Sequence, residues 1–250
     1  MEPTLPQHDL LSWRYGIYGG AIMPPAVIER FSAALPHLRM INAYGATETC
    51  AVCTIMPPEL TTRFPASVGR PLECDDIIVV DPEGNPCSAG VSGEILVRGP
   101  NVFLAYWNDP AATALAFSGS YWRSGDIGMR DAEGLLYVQD RLKDMINRGG
   151  FKVFSAEVEN ALMAHPDVAD CSVVGVPDEV LGERTFALVQ LRGAGLDAGA
   201  LRQYLLDRIA DYKVPDFYQL GTEAIPRNQN GKPQKAQVRI LALALVAARK

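Results

Sequence analysis

The chain has 250 residues and a formal net charge of -6, and 48% of its residues are hydrophobic against 21% charged. That is enough apolar material for a real core and enough length for one large domain or two small ones, while the acidic balance excludes a general nucleic-acid binder, which presents a basic face. The longest apolar run, Ile240 to Ala248, falls short of the ~18 to 20 residues of a membrane helix, so no transmembrane segment is expected.

In chain order, Trp13 to Tyr18 reads as a strand ending at Gly19-Gly20. Pro24-Pro25 then opens a helix, Ala26 to Leu35, with proline in its permitted first turn. Leu38 to Tyr44 is the next strand. Together these make a β-α-β unit, and ligands usually bind at the strand ends of such sheets. From about residue 66 the texture changes to short strands and turns. DIIVVD (76–81) is a strand, PEGNP (82–86) a turn whose Gly84 and Asn85 tolerate positive φ, and GEILVRG (93–99) a second strand. A short helix at about 110–117 and a further turn and strand at 131–140 follow, the pattern of a small β-barrel or distorted sheet. DRLKD (140–144) is charged and opens a new pattern: helix 155–164, strands 168–176 and 185–192, helix 197–209, strand 217–220 and a last helix over about 234–248. The expected class is therefore α/β followed by α+β, with domains at 1–140 and 141–250.

Five cysteines, at 50, 53, 74, 87 and 171, are an odd number. Cys50 and Cys53 form a C-x-x-C, but no second pair or suitably spaced histidine completes a zinc set, and free thiols are the expectation. The N-terminal MEPTLPQHDLLSW has no basic and apolar signal regions, which points to the cytoplasm.

Four polar stretches stand out, each weak alone. In YGATE (44–48) small residues let a backbone approach a ligand. There Thr47 can donate to a phosphate or carboxylate, and Glu48 can ligate Mg²⁺. The same residues also suit a plain turn with Thr47 as N-cap and Glu48 in the first helical turn. In YWRSGD (121–126) a turn carboxylate, Asp126, can accept from a vicinal diol, or simply close an Asx-turn. In DRLKDMINRGGFKVF (140–154) the pair Gly149-Gly150 suits either a tight turn in a linker or a groove wall that admits a narrow ligand. In PRNQNGKPQK (226–235) Asn230-Gly231 makes a tight turn presenting Lys232, a point charge suited to phosphate oxygens or to plain solvation.

Taken in order, YGATE, GEILVRGPNVFLAYW, YWRSGD, DRLKD with GGFKVFSAEVE, and PRNQNGK resemble the adenylate-forming superfamily: acyl-CoA synthetases, luciferases and peptide-synthetase adenylation domains. The resemblance runs from about Leu10 to Lys235. It implies that a carboxylic acid is joined to AMP from Mg-ATP and then passed to a thiol. It also implies roles. Gly19, Gly20 and Ala21 would line the adenine and acyl pocket, Tyr44 would stack near adenine, and Gly45 would belong to the same nucleotide-binding turn. Thr47 would touch the α-phosphate and Glu48 would hold Mg²⁺. Asp126, helped by Arg141, would bind the ribose hydroxyls. Lys143 would be the hinge, Gly149-Gly150 would border the pantetheine tunnel, and Lys232 would be the adenylation lysine. The third motif, INRGGFKVFSAEVE, is closer to the CoA ligases than to the carrier-loading pattern K-I-R-G-x-R-I-E. The implied cofactors and partners are ATP, Mg²⁺, CoA and a fatty or aryl acid. The alternatives are a carrier-protein-loading adenylation domain and a non-catalytic relic. The chain departs from the family pattern at Pro233, where a β-branched aliphatic is usual, and in the apolar tail ILALALVAA.

Family members also carry a Ser/Thr/Gly-rich phosphate loop ending in lysine, well before YGATE. No such run precedes Tyr44 here. The expectation is that roughly the first half of a family member is missing, to be supplied in cis or in trans. An edge strand would lie bare and the chain alone would not adenylate. Which acid is used, and the oligomeric state, a homo-oligomer included, stay open.

Overall fold

The computed structural model describes residues 7–20, 23–193, 195–229 and 231–248. The backbone divides into two units between Val138 and Gln139.

The first unit opens with β1 (Tyr15–Gly19), α1 (Pro25–Ala34) and β2 (Arg39–Gly45), with β1 and β2 parallel. This is the expected β-α-β unit. Pro24 and Pro25 sit at the helix start, where a missing N–H costs nothing. Trp13 stays out of the ladder, its indole donating to the Tyr15 carbonyl at 2.8 Å. Two short strands that the pattern did not signal follow, β3 (Val52–Ile55) antiparallel to β2, and β4 (Arg70–Pro71) antiparallel to β3. Their signal was hidden because β3 is four residues long and its adjacent residues Cys53 and Thr54 are both buried, which leaves no alternation. The Thr54 hydroxyl is satisfied by the Val68 carbonyl at 2.7 Å, as a buried hydroxyl must be.

The second sheet of this unit holds β5 (Asp76–Val80), β6 (Gly93–Arg98), β7 (Phe117–Ser118), β8 (Tyr121–Arg130) and β9 (Leu136–Arg141), with α2 (Pro110–Ala116) between β6 and β7. It runs in the order β5-β6-β8-β7, with β9 paired to β8. Asp109 caps α2, its carboxylate accepting from the Ala112 N–H at 2.9 Å. Ile77, Val79, Ile95, Val97, Trp122 and Leu136 form the buried face. The two sheets meet through backbone bonds from Val68 N to Leu136 O and from Leu136 N to Gly69 O.

The second unit contains β10 (Ile146–Arg148), β11 (Phe151–Val153), α3 (Ser155–Met163), β12 (Val168–Asp178), β13 (Gly182–Leu191), α4 (Ala198–Leu206), β14 (Phe217–Gly221) and α5 (Lys235–Ala247). The sheet order is β11-β10-β13-β12, with β14 parallel on β13. Helices cover both faces. Val158 and Leu162 of α3 and Leu201 and Leu205 of α4 pack with Val173 and Val189, and Val238 and Ala242 of α5 pack with Val174, Val176 and Phe186. This explains why residues 171–176 are buried without alternation: a strand covered on both faces has no wet side. The start of α3 is capped from a distance. The Asp140 carboxylate accepts from the Ser155 backbone N–H and, at 2.7 Å, from its hydroxyl. The cap therefore comes from a residue fifteen positions upstream.

Phe186, 1% exposed, fills the space between β13 and α5. Its replacement by alanine is expected to lower the stability of the second unit by ~3–5 kcal/mol, read as a shifted denaturation midpoint with unchanged slope. Tyr18 and Tyr137 give a pH prediction. Burial pushes both phenols up to about 12, and for Tyr137 the Asp131 carboxylate it donates to adds to the effect. The unfolded value is ~10. Between those limits the folded state keeps a proton that the unfolded state has lost, so stability is full below pH ~10 and declines as pH rises through the folded values. Near-ultraviolet phenolate absorbance is expected to rise in two phases, the later one coinciding with loss of secondary structure. One transition near pH 10 for all nine tyrosines would contradict this packing.

Candidate active site

In the first unit the site residues gather where β2 ends. Gly19 faces Ala43 in the β1–β2 ladder, where an added Cβ would come within 2.2 Å of the Ala43 carbonyl. Gly20 follows on an open turn, and Ala21 lies outside the described residues. At Gly45 an added Cβ would meet the Ala51 carbonyl at 2.1 Å and Val52 Cα at 2.7 Å, beside the register shift between β2 and β3. The first demand for glycine there is thus the fit of two strands, with ligand access coming second.

The turn that follows corrects the capping assignment. Residues Thr47–Thr49 form a 3₁₀ turn whose N-cap is Ala46. Thr47 is exposed, while Thr49 is fully buried. The Thr49 hydroxyl accepts from the Ala46 N–H at 2.9 Å and lies 2.9 Å from the Ala51 carbonyl. Thr49 therefore holds the turn, and the Thr47 hydroxyl is not used for capping. Sequence reasoning missed Thr49, although T-E-T carried the signal. Cys50 closes the turn in a left-handed conformation, φ 57°, a strained state for a residue with a side chain. Glu48 accepts at Oε1 from the Tyr106 hydroxyl (2.9 Å), and its carbonyl accepts from the Phe103 N–H. Tyr106, in the quoted run GPNVFLAYW, is a second missed residue. It fixes the carboxylate's direction.

Asp126 lies inside β8 rather than on a turn, contrary to the expectation for YWRSGD. The β6–β8 register jumps from Leu96↔Arg123 to Glu94↔Ile127, so three residues of β8 oppose Ile95 alone. Gly125, φ 67°, supplies the bend. The Ser124 hydroxyl donates to the Ile95 carbonyl and accepts from the Asp126 N–H. This bulge brings Asp126 to the end of β2, where the Tyr44 hydroxyl donates to Asp126 Oδ2 at 2.6 Å. Burial first, then the Asp126 charge, raises the Tyr44 phenol well above its ordinary value. Tyr44 therefore remains a neutral donor. The structure thus joins Tyr44 and Asp126, 82 residues apart.

Among the described residues no three His, Cys, Asp or Glu converge into a metal cluster. Glu48 is a single carboxylate, the number Mg²⁺ commonly takes from a protein when phosphates and waters complete its octahedron. The donor set fits magnesium carried with a nucleotide. Cys50 is exposed and Cys53 is buried, its thiol pushed up to about 12 by burial, which leaves Cys53 a packing residue.

In the second unit, Arg141 ends β9, and Lys143 is exposed in a single turn closed by bonds from Asp144 N and Met145 N to the Arg141 carbonyl. Gly149 and Gly150, φ 59° and 85°, form the two-residue turn between β10 and β11, where only positive φ matches the strand twist. The Gly149 N–H donates to the Leu181 carbonyl. Lys232 is exposed on a small loop closed by the Arg227↔Pro233 bridge; Asn230 lies outside the described residues. Pro233 fits because the adjacent inter-strand bond is made by Gln234 N to the Pro226 carbonyl, so its missing donor goes unused.

Two families match this chain: "AMP-binding enzyme" over residues 2–107 and "AMP-binding enzyme C-terminal domain" over 157–232. An indoleacetate–CoA ligase of Aromatoleum aromaticum is 40% identical over 96% of this chain and 47% of its own length. The solved structure of O-succinylbenzoate coenzyme A synthetase of Bacillus subtilis with ATP and magnesium aligns with TM-score 0.82 at 32% identity, over 94% of this chain and 50% of that one. The amide bond synthetase McbA of Marinactinospora thermotolerans aligns with TM-score 0.86 at 36% identity, over 96% and 49%. The chain thus spans about half the length of the curated relatives it matches. Identity and fold agree over nearly all of it, and the chain belongs to the adenylate-forming superfamily of AMP-binding enzymes, in its acyl-CoA synthetase branch.

Proposed function

We propose that this chain is part of an ATP-dependent acid–thiol ligase, which activates a fatty or aryl carboxylic acid as acyl-AMP and transfers the acyl group to CoA. The Tyr44–Asp126 pair carries the reading. A carboxylate buried to 5% exposure, oriented by a phenol and a bulged strand, is preorganised to accept two hydroxyls of a ribose. Tyr44 offers its ring to adenine beside Gly19, Gly20 and Ala21. Thr47, exposed and not spent on the cap, donates to the α-phosphate, and Glu48, steered by Tyr106, holds Mg²⁺. Bound there, the ion would neutralise charge on the phosphate oxygens. Lys232 adds the second cation for the step in which the substrate carboxylate attacks the α-phosphorus and pyrophosphate leaves. In the next step the CoA sulfur attacks the acyl carbonyl and AMP leaves. Gly149-Gly150 border the pantetheine path, Arg141 assists at the ribose, and Lys143 serves as the hinge between the two half-reactions. A carrier-loading domain is the second reading, and the GGFKVF segment speaks against it.

Residues beyond this chain, in cis or in trans, would supply the phosphate loop. The seam is β1. Among the described residues it pairs with β2 alone, and Ile17 and Tyr15 are 74% and 53% exposed, although parallel strands are normally covered on both faces.

Isothermal titration with a non-hydrolysable acyl-adenylate mimic tests the ribose site. Binding by the chain is expected to weaken ~10- to 100-fold in Asp126→Asn, the loss of one or two charge-assisted hydrogen bonds. Equal affinity for both proteins would sink the assignment. ATP–pyrophosphate exchange is expected to be absent from the chain alone and to appear when the phosphate-loop half is added. Lys232→Ala should then reduce it ~10²- to 10³-fold. Full exchange by the isolated chain would refute the need for that half.

A further inference from the structure

We infer that Arg227 is the positioning residue for Lys232, a clamp that fixes the loop carrying the lysine to β12. The inference rests on the reading of Lys232 as the adenylation lysine. One planar guanidinium links the loop to β12. Nε and Nη2 donate to Asp170 Oδ2 at 3.2 and 2.6 Å, and Nη1 donates to the Gly231 carbonyl. Asp170 stands on β12, beside the irregularity between Val168 and Asp170 in the β12–β13 register, and its other oxygen accepts from the Cys171 N–H at 2.9 Å. The carboxylate is thereby fixed to the sheet. Gly231 immediately precedes Lys232, so the clamp acts one peptide from the functional cation.

Several other bonds of the loop are local. Asn228 N donates to the Lys232 carbonyl, Gly231 N donates to the Asn228 carbonyl, and Lys232 N donates to Asn228 Oδ1, each at 2.9 Å. They shape the turn without attaching it to the sheet. Attachments outside the loop include Arg227 at its start and Lys235 just past its end, where the Lys235 ammonium meets Glu159 Oε1 at 3.0 Å and the Ser155 hydroxyl on α3. An exposed ion pair adds little to global stability. What Arg227 adds is direction, because five donors in a rigid fork can hold a carboxylate and a carbonyl at once, and a lysine ammonium cannot reproduce that geometry. Preorganisation of this kind matters for a cation aimed at a developing charge.

Hydrogen exchange on the full chain, resolved by peptide, tests the clamp with Arg227→Met and Arg227→Lys. Exchange at Gly231 and Lys232 is expected to speed up at least ~10-fold in both variants, with β12 and α5 unchanged and the thermal midpoint nearly constant. Unchanged protection of the loop overturns the proposal. So does a loss spread evenly over β12 and α5, which marks general destabilisation. Asp170→Asn should reproduce the loop effect, and the double variant should be no worse than Arg227→Met alone. In the complex with the phosphate-loop half, Arg227→Met should lower kcat of ATP–pyrophosphate exchange ~10-fold, leaving KM for ATP and the thioester-forming step from preformed acyl-adenylate unchanged. Retained kcat overturns the positioning role. If Lys232→Ala leaves exchange intact, the role of Lys232 fails instead, while the exchange-protection result still reports on the clamp.

Discussion

One hydrogen bond organises the first unit, that from the Tyr44 hydroxyl to the Asp126 carboxylate at 2.6 Å. It joins a strand of the parallel β-α-β unit to the bulge of an antiparallel sheet, and neither partner could reach the other without a local irregularity. β8 must take on extra residues opposite Ile95, and β2 must end at Gly45 where β3 crowds it. Burial keeps the phenol protonated, so the pair remains donor and acceptor rather than two like charges. A carboxylate held this way has paid its ordering entropy during folding, which is the condition for it to act on a ligand hydroxyl with little further loss.

Charge is divided unevenly along the chain. All six lysines, Lys143, Lys152, Lys213, Lys232, Lys235 and Lys250, lie after residue 142, and no acidic residue follows Glu223. The lysine ammonium groups of the chain therefore lie in the second unit. Within that division the lysines differ in use. Lys213 is paired to Glu157 at 2.7 Å and Lys235 to Glu159, which makes them structural. Lys232 is exposed on a braced loop, the arrangement of a charge kept available.

The sequence made the regular elements legible wherever burial imposes a period or a run. The β-α-β unit at the start was readable from Pro24-Pro25 and its flanking strands. The buried strands of the second unit were readable from DCSVVGV and TFALVQL. What it hid depended on distant partners. Asp126 read as a turn residue because Ser-Gly-Asp is turn chemistry, and only the opposing Ile95 makes it a bulge. The cap of α3 gave no local sign, because Asp140, which serves it, is fifteen residues away. Tyr106 gave no sign of its task, since an aromatic in a loop looks the same whether or not a glutamate waits 58 residues upstream. Local rules describe local partners, and the site is built mostly from remote ones.

The turn after β2 shows how structural and functional demands divide between adjacent residues. Thr49 takes the buried, satisfied position and fixes the backbone, and Tyr106 fixes the carboxylate. Thr47 thereby takes no part in the cap, and Glu48 is held through its carboxylate by Tyr106 and through its carbonyl by the Phe103 N–H. Had Thr47 served as the cap, its hydroxyl oxygen would accept from a backbone N–H and its rotamer would be fixed toward the turn, although its one proton would stay available to donate. With the cap two residues along, Thr47 is exposed with no capping role, next to a Glu48 carboxylate oriented by Tyr106. The strained φ at Cys50 is the cost of closing so tight a turn. Such strain persists only where the surrounding bonds over-determine the backbone, as those of Thr49 do here.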